Sequence, residues 1–189
     1  MPQNGVGFSF RPISCCNLIY KVITTLIANK LKLVVGSIVS EEQGGFVPGR
    51  SLAQEIMCGY GRSNLSPRCT IKVDLMKAYD MINWHFLRNV LVELGFPLMF
   101  VERIMECVTT PKFSILVNGE LHGHFPGKRG LRQGDPMSPL LFTLCMEYFS
   151  RSLKVLKKDG GFKYHPGCRK LNITHILFAD DLLIFSRGD

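Results

Sequence analysis

At 189 residues, with 46% hydrophobic and 20% charged residues, the chain can build one good-sized core or two small lobes that share one, and it is too apolar to be disordered. Lys and Arg number 23 against 15 Asp and Glu, and the resulting +8 charge fits a polyanionic partner, either nucleic acid or an anionic membrane face. Seven irregularly spaced cysteines with no C-x-x-C pair exclude a disulfide framework or a zinc knuckle, and predict a reducing, intracellular compartment, nuclear or cytoplasmic. The most apolar stretch, 18–35, is broken by Lys21, Asn29, Lys30 and Lys32, so no membrane span is expected. Residues 1–10 lack the basic and then apolar pattern of a secretory signal.

In chain order, residues 1–14 read as strand or loop. Over 15–35 apolar residues recur at Leu18/Ile19, Val22/Ile23, Leu26/Ile27, Leu31 and Val34/Val35, the spacing of an amphipathic helix that Gly36 can end. Gly44, Gly45, Pro48 and Gly49 make 43–50 a loop, and Ser51 opens a short helix. Residues 69–75 alternate Ile71, Val73 and Leu75 with Thr70, Lys72 and Asp74, as a strand does. Asn83 is the expected N-cap of a helix through Trp84, Leu87, Val90 and Leu91 that stops at Gly95, and Pro97 starts another that ends near Val108. Asn118-Gly119, between apolar runs at 113–117 and 120–125, carries the signature of a type I′ hairpin. A basic loop at 128–136 leads into a long helix with Met137, Leu140/Leu141, Leu144/Cys145, Tyr148/Phe149, Leu153 and Leu156 on one side. After a polar, Gly-rich connection at 159–170, apolar strands at 173–179 and 182–185 flank Asp180-Asp181. The order predicts an α+β layout with helices packed on one face of an antiparallel sheet.

Three features carry chemistry. Asp180 and Asp181 stand side by side at the turn of a very apolar hairpin. Adjacent carboxylates disfavour each other's ionised form and apolar neighbours add a desolvation cost, so a divalent cation resolves both problems. Asp is common in turns, and an isolated pair reads first as an exposed turn. Asp74 ends a hydrophobic strand and is followed by Lys77-Ala78-Tyr79-Asp80, with Asp80 also serving as a helix-start or turn acid. The run Arg129-Gly130-Leu131-Arg132-Gln133-Gly134-Asp135-Pro136 enters a helix, where glycine allows close backbone approach and arginine supplies forked donors for phosphate. Asp135 and Ser138 near that start read as caps. His85, His122, His124, His165 and His175 are scattered without acid or Cys at ligand spacing, and read as structural or surface residues.

Taken together, Lys72-Val73-Asp74 with Ala78-Tyr79-Asp80, then Gly130-Leu131-Arg132-Gln133-Gly134-Asp135-Pro136, then Phe178-Ala179-Asp180-Asp181 resemble three successive palm motifs of reverse transcriptases. Phe10-Arg11-Pro12-Ile13-Ser14 and Gln43 with Gly45-Phe46 and Gly49-Arg50 resemble the fingers motifs of non-LTR, LINE-type retrotransposons. Tyr164, His165, Pro166, Cys168 and Asn172 are similar to the plant branch of that family. The resemblance spans almost the whole chain. It implies a fingers–palm fold, with 1–68 mainly fingers and 69–189 mainly palm around a fingers insertion near 83–128. It implies RNA-directed DNA polymerisation on an RNA template with a DNA primer and deoxynucleoside triphosphates. Asp74, Asp180 and Asp181 would form the catalytic site and hold Mg2+, with Mn2+ as a substitute. Arg11 would grip the triphosphate, Tyr79 would gate the sugar, and Gln133 and Gly134 would lie at the nascent base pair. Gln43, Arg50 and Arg132 would line the template or fingers surface.

The sequence departs from the family pattern in places. Residues 1–10 contain none of the lysine that the fingers usually carry before the arginine matching Arg11, and the motifs of the thumb do not follow Asp181 within the sequence. Weak or absent polymerisation by the chain alone is therefore expected. The competing expectations are an inactive remnant that only binds nucleic acid, and a two-metal nuclease. Tyr79 and the Arg-Gln-Gly loop argue against the nuclease, which has no need of a sugar gate.

Overall fold

The computed structural model describes residues 15–45, 67–158, 161–166, 168–169 and 171–188. The elements expected over 1–14 and from Ser51 lie outside the described residues. Helix α1 spans Leu18–Ile38, with the Asn17 side chain accepting from Tyr20 N at 2.8 Å as its N-cap. Thr24, Ile27, Ala28, Leu31 and Val35 form its buried stripe at three- and four-residue intervals. The helix does not stop at Gly36. Val35 and Val39 are both buried, and Val39 N still donates to Val35 O at 3.0 Å. Burial of that face outweighs the roughly 1 kcal/mol that an interior glycine costs a helix.

Strand β1 (Arg68–Asp74) leads through the short helix α2 (Ala78–Met81) to α3 (Trp84–Glu93) and α4 (Leu98–Thr109). Asn83 accepts from His85 N and Phe86 N and caps α3, and Gly95, at φ 84°, follows its end. Strands β2 (Lys112–Val117) and β3 (Glu120–Pro126) form a separate antiparallel ribbon. Its turn residues Asn118 and Gly119 both have positive φ, 52° and 88°, as a type I′ turn requires. Helix α5 (Ser138–Leu153) is buried along much of its length and tightens into a 3-10 turn over Lys154–Lys158. Strands β4 (His175–Phe178) and β5 (Asp181–Arg187) close the described chain.

The main sheet has the order β1-β5-β4, antiparallel throughout, so β5 is central. Side chains alternate across it. Val73, Leu177, Leu182 and Ile184 point to one face and join the core built by α1, α3, α4 and α5. Leu183, Ile176 and Phe185 point to the other, where Ile173 and Cys168 of the preceding connection cover them in a second, smaller cluster. The helices thus occupy one face. The opposite face is covered only at the end away from the β4–β5 turn, and stays open at the turn itself, where Phe178 is 60% exposed. Among the described residues no helix is long and apolar enough to cross a membrane.

Candidate active site

Asp74 is the last residue of β1 and lies directly opposite Asp181, the first residue of β5. Val73 and Leu182, their neighbours, go to the helix-covered core, so alternation sends both acids to the open face. Asp181 therefore belongs to a strand and not, as expected, to the turn. The two-residue turn is Ala179-Asp180, because Phe178 pairs with Asp181. Ala179 has φ 55°, a left-handed conformation that side-chain-bearing residues seldom adopt. Asp180 is drawn to the end of β1 by its carbonyl, which accepts from Leu75 N at 3.2 Å.

The turn is held from outside the sheet. Leu177 N donates to Glu42 O at 2.9 Å, and Gly44 N donates to Leu177 O at 2.8 Å. Gln43 bridges Leu177 in a parallel sense. A Cβ on Gly45 would sit 2.4 Å from Ala179 N, so only glycine lets this segment press against the turn. The Gln43 residue is 1% exposed, so it is buried beside the turn and does not line an open surface.

The donor set fits a hard divalent cation. Asp74 and Asp180 offer carboxylate oxygens at adjacent backbone positions, and Mg2+ is commonly held by one or two carboxylates completed by substrate phosphates and water. Among the described residues no three His, Cys, Asp or Glu side chains are gathered around one point, so a full protein cage is not built. Asp181 is instead paired with Lys72, Nζ to Oδ1 at 3.0 Å. The sequence pattern puts Lys72 on the same face of β1 as Asp74 but gives it no role; the ion pair with Asp181 supplies one.

Tyr79 stacks on Phe142 of α5, with ring centroids 4.5 Å apart and planes 12° from parallel. Burial, and then the negative charge of Asp180, push its phenol up to about 12 and keep the ring neutral. The Arg-Gln-Gly loop is tied to α2, which carries Tyr79, and to the residues just after it. Gly130 N donates to Ile82 O at 2.7 Å, Leu131 N to Tyr79 O at 2.8 Å, and Trp84 Nε1 to Gly130 O at 2.9 Å. Gly130 has φ 90°, and a Cβ there would meet the Asp80 backbone at 3.0 Å. Gly134, at φ 98°, gives the loop a second left-handed position. Gln133 helps to line a cleft of about 240 Å3 together with Asp80, Trp84, Phe113 and Arg129.

Arg132 also lines that cleft, but its guanidinium is engaged with groups of the protein itself. Its guanidinium lies 4.0 Å above the Tyr20 ring, donates to Cys107 O at 2.9 Å and to the Tyr20 hydroxyl, and approaches Asp135 Oδ2 at 3.6 Å. Asp135 is buried and accepts from Met137 N at 2.9 Å and from Tyr20 Oη at 2.6 Å, but α5 starts after Met137 without a side-chain cap, so neither Asp135 nor Ser138 caps it as expected. Burial and the Asp135 hydrogen bond raise the Tyr20 phenol well above its ordinary value. This knot joins α1, α4 and the loop, and no local pattern signals it, because its members lie 115 residues apart in the chain. Arg11 and Arg50 lie outside the described residues.

A family model described as reverse transcriptase (RNA-dependent DNA polymerase) matches residues 4–189. The chain is 25% identical over 186 residues to the Transposon TX1 uncharacterized 149 kDa protein of Xenopus laevis, covering 95% of this chain and 14% of that one. It is 27% identical over 183 residues to the Retrovirus-related Pol polyprotein from type-2 retrotransposable element R2DM of Drosophila melanogaster, covering 94% of this chain and 16% of that one. It thus spans less than a fifth of either relative. The structure of telomerase from Candida albicans in complex with a TWJ fragment of telomeric RNA superimposes with a TM-score of 0.61 at 12% identity, over 89% of this chain and 30% of the other. At that identity the likeness concerns the fold alone, and the fold is the fingers–palm arrangement of helices on an antiparallel sheet.

Proposed function

The chain belongs to the reverse transcriptase (RNA-dependent DNA polymerase) family, in its non-LTR retrotransposon branch, and from that premise we propose that it carries the site at which a DNA primer is extended on an RNA template from deoxynucleoside triphosphates, with weak extension by the chain alone. The observation that carries the proposal is the pairing of Asp74 with Asp181 next to Asp180 on the open sheet face. Asp74 and Asp180 are the residues to hold Mg2+, or Mn2+ in its place. When bound, such an ion supplies neutralisation of phosphate charge and a more acidic primer 3′-hydroxyl. Asp181 supports the site while Lys72 balances its charge. The neutral Tyr79 ring, backed by Phe142, is a wall for the sugar and excludes a 2′-hydroxyl by bulk.

Gln133 and Gly134 face the nascent base pair from the loop above, and Arg11 binds the triphosphate. Arg50 serves the template side. Gln43 and Arg132 act through placement, Gln43 by docking its segment on β4 and Arg132 by anchoring the loop through Tyr20 and Asp135. The test is primer extension on an RNA template with Mg2+ or Mn2+, with Asp180→Asn as control. Extension that the substitution abolishes supports the proposal. Extension that survives it overturns the assignment of Asp180 to the metal site, and RNA binding with neither extension nor Mn2+ affinity favours a remnant that only binds nucleic acid.

A further inference from the structure

We propose that Glu147, in the middle of α5, is a positioning residue for the catalytic turn, acting through Ser40 and the 42–45 segment. The inference rests on the active-site reading above. Glu147 is 1% exposed, far from the open face, and a carboxylate so deeply buried is costly unless fully paired. It is paired on both oxygens. Oε1 accepts from Arg151 Nε at 2.8 Å, and Oε2 accepts from Ser40 N at 2.9 Å and Ser40 Oγ at 2.8 Å. Arg151 in turn donates to Ile38 O at 3.0 Å, so the pair grips the backbone where α1 ends.

From Ser40 the connection to the turn is continuous. Gln43 N donates to Ser40 O at 3.1 Å, Leu177 N to Glu42 O at 2.9 Å, and Gly44 N to Leu177 O at 2.8 Å. Gly45 then abuts Ala179, the residue held at positive φ next to Asp180. Lys154, the residue that follows the end of α5, fixes the same segment by pairing with Glu42 at 3.1 Å.

A second branch reaches β4 directly. Because a carboxylate only accepts, Ser40 spends its hydroxyl hydrogen on Glu147, and Ser150 donates to Ser40 across 3.2 Å. Ser150 therefore accepts from His175 Nε2–H at 2.8 Å, and His175 Nδ1 accepts from Thr174 Oγ1 at 2.9 Å. One carboxylate thus orders both the strand that carries the turn and the segment that clamps it. An apolar side chain of the same volume would pack α5 equally well but could align neither.

The test compares Glu147→Met, which removes both acceptors, with Glu147→Gln, which keeps an acceptor for Ser40, in the full chain. Amide exchange is read at Gly44 and Leu177, and Mn2+ affinity by calorimetry. In Glu147→Met both amides are expected to exchange about tenfold faster or more while α3 and α4 amides hold, and Mn2+ binding weakens about 3- to 10-fold. Glu147→Gln restores both. Uniform acceleration across the helices with Mn2+ affinity unchanged, or equal loss in the two variants, overturns the proposal. Should Glu147→Met fail to fold, Ser40→Ala carries the same expected local pattern at smaller amplitude, and unchanged exchange at Gly44 in that variant overturns it. Asp180→Asn, measured alongside, separates the two readings. If that variant leaves Mn2+ affinity unaltered the metal-site reading fails, while the exchange pattern still decides the role of Glu147.

Discussion

Among single residues, Lys72 is the one whose charge bears most directly on the acids. Its ammonium occupies Asp181 at 3.0 Å, yet the side chains are 61% and 41% exposed. An ion pair so open to water contributes about 0–1 kcal/mol to stability. Its influence on a bound cation is larger, because it competes for one carboxylate and repels positive charge nearby. Lys72→Met is therefore expected to raise Mn2+ affinity a few-fold, measured by calorimetry, with the thermal midpoint almost unchanged. A fall in affinity would show that Lys72 orders the acids and does not compete for them. The face on which Asp74 points was legible from its alternation with Val73. The position of Asp181 was not, because two adjacent aspartates satisfy a turn and a strand start equally well, and cross-strand pairing alone distinguishes them. The inward course of Arg132 was equally hidden, since a basic side chain in a glycine-rich loop reads the same whether it meets phosphate or a buried carboxylate.

Among the elements, α5 does most to position the site. Its Phe142, 1% exposed, is the platform under Tyr79. Phe142→Ala is expected to cost about 3–5 kcal/mol of stability in denaturant unfolding. It also lets water reach Tyr79, so the tyrosine that titrates near 12 should move down toward its ordinary value in an ultraviolet titration. The sign follows from the raised value. The neutral phenol favours the fold at and below the unfolded value, and that contribution is lost as pH rises through 12. A Phe142→Ala chain with the Tyr79 titration unmoved would sever the link between the two rings. The caps at Asn83 and Gly95 and the type I′ ribbon were readable locally, because each depends on residues within a few positions, whereas the α5 stripe was read only in part, since Leu140, Leu141, Leu144 and Cys145 are buried but Tyr148 and Phe149 are exposed while Phe142, Met146 and Glu147 lie inside. The end of α1 was not. Gly36 is a local stop signal, and the burial of Val35 and Val39 against distant elements overrides it.

At the scale of the whole molecule, the +8 charge fits a polyanion, and the open sheet face with its flanking loop offers a place for one. Lys128 and Arg129 are both exposed where the loop enters that region. Single-stranded RNA binding is expected to weaken with salt by a slope of about 0.7 per phosphate neutralised. Replacing Lys128 and Arg129 together by Gln should lower the slope by roughly 1 to 1.5, read by fluorescence anisotropy across a salt series. An unchanged slope would move the binding surface elsewhere.

The alternation along β5 has one more consequence. Asp181 and Leu183 look outward only because Leu182 and Ile184 look inward, and the same holds for Asp74 against Val73. A slip of a single residue between β1 and β5 would turn the acids into the apolar core and the leucines into solvent. No stable, misaligned and merely inactive form of this sheet is therefore available. A one-residue deletion in either strand forfeits the fold along with the chemistry, and its product is material for aggregation or proteolysis, not a competitor for RNA.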